Sequence, residues 1–136
     1  MIIGFIVILI AIAGISNAVM DTLTYHYNVS IFSKLKNQQW FNPNLSWENK
    51  YKNGNEDEGP RFWGSTTYFV WVTDCWHFAK SVMFLCYELV ILILLYIYLP
   101  GNLPIPMWLI LLLTLIILKV LRGGFFELFW GNILKK

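Results

Sequence analysis

The chain predicts an all-α integral membrane protein with three transmembrane helices, an interfacial helical and loop connection and a C-terminal interfacial helix. Its 136 residues are 57% hydrophobic and 18% aromatic but only 13% charged, about half the roughly 25% of an ordinary soluble domain. The charges gather mainly in 34–61 and 119–136 and leave long neutral tracts elsewhere. Three tracts suit a hydrocarbon core of about 30 Å, which takes about 20 apolar residues. These observations exclude a soluble enzyme and a disordered tail. A net charge of +2 provides no phosphate-binding stripe, so nucleic acid is excluded as a partner. The length fits one domain, and 1–136 is read as a single membrane unit.

The first span, approximately 1–20, carries no charged side chain. It lacks the basic n-region of a cleaved signal peptide, so a retained helix is expected. Gly14 and Ala18 form a small-xxx-small pair suited to close helix packing, and a homo-oligomer is expected. The connection covers 21–65. Asp21–Trp40 is expected to extend the first helix along the bilayer surface. Phe41–Phe62 is the most loop-like stretch, with turn signals at Asn42-Pro43-Asn44, Asn53-Gly54-Asn55 and Gly59-Pro60. Trp40, Phe41, Trp47, Tyr51, Phe62 and Trp63 read as an interfacial aromatic belt or, alternatively, as a lid folded over a site.

The second helix is expected from about 66, capped by Ser65-Thr66-Thr67, with its membrane span at 80–99. The Pro100–Pro104 turn makes the third span, 105–122, its antiparallel neighbour. Gly123-Gly124 is expected to break that helix before an interfacial anchor at 125–136. No internal repeat is visible. Cys75 and Cys86, eleven residues apart on one helix, stand about 16 Å apart and cannot bridge.

Basic residues orient the chain. Lys34, Lys36, Lys50, Lys52 and Arg61 lie in the connection, and Lys119, Arg122, Lys135 and Lys136 lie at the carboxyl end. The positive-inside rule places the 21–65 connection and the C-terminus in the cytoplasm and the N-terminus outside. The sequons at Asn28 and Asn44 would argue otherwise only if used.

The second helix carries a polar seam. Thr67, Asp74, Ser81 and Glu88 recur every seven residues, and His77 follows Asp74 by three. On a helix these fall on one stripe, opposite Phe69, Val72, Trp76, Met83 and Tyr87. Counting inward from Pro100 puts Glu88 about 18 Å deep, near the midplane. A carboxylate there costs about 2.5–3.5 kcal/mol. It is either functional or a protonated group that fixes helix packing.

Asp74 and His77 are spaced to face one metal ion or one proton-relay partner, and His26 and Asp21 lie just beyond the first span. Asp74, His77, His26 and Asp21 are therefore the candidate catalytic residues. Asp74, His77 and His26 are also candidate ligands for a divalent metal, with Glu127 nearby in the expected topology. The bland alternative is histidines satisfied by hydrogen bonds. Lys80, Lys119 and Arg122 are expected to cluster at the cytoplasmic boundary, as topology determinants or as a site for a lipid phosphate.

Three functions compete. The first is an acid/base- or metal-dependent enzyme acting on a lipid-like substrate at the cytoplasmic surface. The second is an oligomeric ion or proton channel or carrier lined by the Thr67–Glu88 seam. The third is a structural or assembly subunit. Membrane lipid is the partner common to all three.

Overall fold

The computed structural model describes residues 1–101 and 103–129, without the Glu127 side chain. Helix α1 spans Ile2–Tyr25, and two one-turn helices follow, α2 at Gln38–Phe41 and α3 at Pro43–Ser46. Helix α4 runs over Cys75–Tyr98 and α5 over Met107–Glu127. The three long helices are each long and apolar enough to cross a membrane. Helices close their backbone hydrogen bonds internally, which the hydrocarbon core demands. Among the described residues the only β pairing is the isolated bridge between Tyr51 and Pro60. The chain is an all-α, multi-pass membrane protein.

Packing divides it into two compact units, Met1–Tyr87 and Glu88–Lys136. In the first, α1 ends with the Thr22 and Thr24 hydroxyls donating to the Ala18 and Met20 carbonyls at 2.7 and 2.8 Å. The expected helical extension over Asp21–Trp40 holds only to Tyr25; beyond it come 3-10 turns at Tyr27–Val29 and Ile31–Lys34. Ser30 explains the restart. Its hydroxyl donates to the Tyr27 carbonyl at 2.7 Å and accepts from the Phe32 N–H at 3.2 Å. Local bonds of this kind compete with helix propagation.

Leu23, Tyr27 and Cys75 form a buried cluster with Phe32, Trp40, Phe41 and Trp76 packed against it. Apolar burial of this kind folds the connection back onto the end of α1. Polar bonds then set its path. The Asn49 amide donates to the Gln39 carbonyl at 2.6 Å and to the Thr73 carbonyl at 2.9 Å. Ser65, fully buried, donates to the Lys50 carbonyl at 2.7 Å rather than capping a helix.

The second long helix starts at Cys75, not near 66. Gly64 has φ +79°, Val70–Val72 forms a 3-10 turn, and the Thr73 hydroxyl donates back to the Val70 carbonyl at 2.7 Å. Asp74 then caps α4, its Oδ1 accepting the His77 N–H at 2.8 Å, the preferred N-cap arrangement. This corrects the heptad seam. Thr67 is an exposed turn residue outside the helix, Asp74 is the cap, and only Ser81 and Glu88 lie within α4.

In the second unit, Pro100 follows the end of α4, where its fixed φ and missing N–H disfavour continuation. The Pro106 carbonyl opens α5 by accepting the Leu109 and Ile110 N–H groups at 3.0 and 3.3 Å. The expected break at Gly123-Gly124 does not occur, because α5 runs through both glycines to Glu127. Each glycine sacrifices only about 0.5–1 kcal/mol relative to alanine. Freeing amides in hydrocarbon costs several kcal/mol per group. The separate anchor helix from 125 is thus corrected as far as Glu127; Trp130–Lys136 lie outside the described residues.

A Cβ at Gly123 would meet no atom within 4 Å. Gly123→Ala should therefore raise stability by about 0.5–1 kcal/mol, read from reversible unfolding in detergent micelles. A loss of stability would show that the glycine serves a close approach.

Candidate functional site

The chemistry of the first unit centres on the start of α4. Asp74 is only 2% exposed. Its Oδ1 caps the helix, while its Oδ2 accepts the Thr73 hydroxyl at 3.2 Å and faces His77 Nδ1 at 2.6 Å. The positive end of the α4 dipole complements a carboxylate at this position. Where Asp74 accepts, His77 Nδ1 is the donor, and in the neutral ring that tautomer leaves the Nε2 lone pair available. The His77 side chain is 37% exposed. A buried carboxylate thus orients a half-exposed imidazole, the arrangement that equips histidine as a general base.

His77 opens onto a cavity of about 390 Å³ whose walls include Leu23, Thr24, Phe41, Asn44, Trp47 and Trp76. The Trp76 indole donates to Thr24 Oγ1 at 3.1 Å, joining the first turn of α4 to the last turn of α1. Trp76 therefore does not belong to a face turned away from the polar groups. Phe41 and Trp47 both line the cavity. Trp63, 78% exposed, stacks on Tyr68 instead at 5.8 Å.

A second cavity of about 410 Å³ shares Leu23, Thr24, Pro43 and Asn44 with the first and includes His26. His26 and His77 therefore line adjoining recesses, not one. Asp21 lines neither and is exposed, its Oδ2 accepting from the Asn17 amide at 3.3 Å. The four candidate catalytic residues are not assembled into a single constellation. Among the described residues no three His, Cys, Asp or Glu side chains gather so as to hold a metal ion. Of the three candidate ligands, Asp74 and His77 are in contact, while His26 lines the neighbouring recess, because α1 ends at Tyr25 and the chain turns at His26.

The expected basic cluster is also repartnered. Lys80 lies over the Trp76 ring, 4.8 Å from its centroid. In the second unit, Lys119 Nζ pairs with Glu88 Oε2 at 3.1 Å and Arg122 Nη1 with Glu88 Oε1 at 2.9 Å. Glu88, 6% exposed, stands near the middle of α4 and uses both oxygens on α5. Two α5 cations thus face the Glu88 carboxyl group directly. Ser81, about two helical turns before it on α4, is half-buried.

Thr24 and Trp76 are the site residues that sequence reasoning missed. A hydroxyl in the last turn of one span and an indole in the first turn of another are the signal that could have paired them, both being placed at the membrane interface.

Fold and site together define a multi-pass α-helical membrane protein with an oriented Asp–His pair where a span begins. No protein-family model, curated protein or solved structure matches the chain.

Proposed function

We propose that this protein is a membrane-embedded acid/base enzyme acting on a lipid-like substrate at the bilayer boundary. The observation that carries the reading is the 2.6 Å Asp74–His77 contact, with the carboxylate buried and the imidazole opening onto a cavity. His77 Nε2 takes a proton from a hydroxyl or a water, and Asp74 stabilises the imidazolium that forms. The basic residues of the connection support a cytoplasmic site, with the N-terminus outside. The channel reading finds less support. Thr67 is off the helix, Asp74 is engaged by His77, and Glu88 is engaged by two cations.

The test is turnover. Wild-type protein in lipid nanodiscs, given a total polar and neutral lipid extract, should change the lipid profile read by mass spectrometry. His77→Gln should slow that change by about a hundredfold or more. Identical profiles for wild type, variant and empty nanodiscs would overturn the proposal.

A further inference from the structure

The two adjoining recesses restrict what kind of lipid fits. Both lie where Thr24 closes the last turn of α1 and where Asp74, Trp76 and His77 open α4. The ends of two spanning helices mark the headgroup level of a bilayer. The recess at His77 is walled by Leu23, Phe41, Trp47 and Trp76. The recess at His26 presents Thr24, Asn28 and Asn44. They share Thr24 and Asn44 among their walls, so a mainly apolar recess adjoins a more polar one. Each falls within the roughly 300–1,000 Å³ range of small-molecule sites.

Charge decides the head. Among the described residues, neither lining includes a lysine, an arginine or a glutamate. The one carboxylate, Asp74, already accepts from Thr73, His77 N–H and the His77 ring. A phosphate head normally demands arginine or lysine. Here it would meet neither in the walls and would approach Asp74 at a cost. Lys80, three residues after His77, lies over the Trp76 ring. Amide and hydroxyl groups with an imidazole suit neutral hydroxyl and ester groups.

We infer that the paired recesses bind an uncharged amphiphile of the acylglycerol class, with its hydroxyl head among Thr24, Asn28 and Asn44 and its ester-bearing portion beside His77. This rests on the acid/base reading only for what happens to the ligand after binding, so binding is tested without turnover. His77→Gln protein in phosphatidylcholine nanodiscs is irradiated with a diacylglycerol carrying a photoreactive group near its head. Adducts should map to 23–28 and 41–47, and unlabelled diacylglycerol should reduce them at least tenfold more effectively than phosphatidate. Asn44→Lys, at an exposed position, places a cation in the polar recess and should bring phosphatidate to within about twofold of diacylglycerol.

Adducts scattered along the spans, or phosphatidate competing as well as diacylglycerol before any lysine is added, would overturn the inference. Selectivity unchanged by Asn44→Lys would overturn the placement of the head. Selective binding without turnover by the wild-type chain would remove the enzyme proposal and leave this inference standing. Turnover of phosphatidate but not of diacylglycerol would do the reverse.

Discussion

Replacing Glu88 with leucine should destabilise the protein, although it puts an apolar residue in the middle of a spanning helix. Glu88 Oε1 and Oε2 compensate Arg122 and Lys119 at 2.9 and 3.1 Å. Removing the carboxylate takes away the anion that both cations face. Breaking a buried ion pair from one side costs about 3–5 kcal/mol. The lower end applies here, because the Lys119 and Arg122 side chains are 53% and 39% exposed and can swing toward headgroups. Replacing all three by apolar residues, Glu88→Leu with Lys119→Leu and Arg122→Met, should recover most of that loss or exceed wild type. Reversible unfolding in mixed micelles measures both. A single Glu88→Leu variant as stable as wild type would mean that the triad contributes nothing in the bilayer.

Replacement of Asp74 should separate stability from chemistry. Asparagine caps a helix about as well as aspartate, so Asp74→Asn should keep the start of α4 within a few tenths of a kcal/mol. Its amide cannot play the carboxylate's part toward His77 Nδ1, where the contact is 2.6 Å. The imidazole then loses both its tautomer and the charge that stabilises its protonated form. Lipid turnover should fall by about 10²–10⁴-fold. Asp74→Ala should lose the same turnover and, in addition, about 1 kcal/mol of cap stability. Full turnover by Asp74→Asn would reduce Asp74 to a cap and remove the orienting role assigned to it.

These two carboxylates also show where sequence reasoning works. Both stood out because they interrupt or adjoin long apolar tracts, and a charge placed there needs a partner. The partners were less legible. Lys119 and Arg122 looked like topology markers, and their pairing with Glu88 depends on how one helix lies beside the next. The heptad spacing of Thr67 and Asp74 suggested one continuous stripe. Asp74 ends that stripe by capping α4, a competition between side chain and backbone that periodicity does not register. Gly123 and Gly124 misled in the opposite direction. Glycine marks a helix end in water, but a helix at membrane depth keeps its bonds because nothing else can satisfy them.

The aromatic connection divides along the same line. Its composition suggests an interface, yet Phe41 packs against the cluster of Leu23, Tyr27 and Cys75 and lines a cavity together with Trp47, while Trp63 stays exposed. The three spans were legible in the chain alone, because apolar length against bilayer thickness is a one-dimensional property. The oriented histidine follows from a local i,i+3 contact, whereas the two recesses and the Glu88 triad belong to the tertiary structure. Each of the latter depends on side chains distant in sequence meeting within a few ångströms, and hydrogen-bond and Coulomb energies are decided at that range.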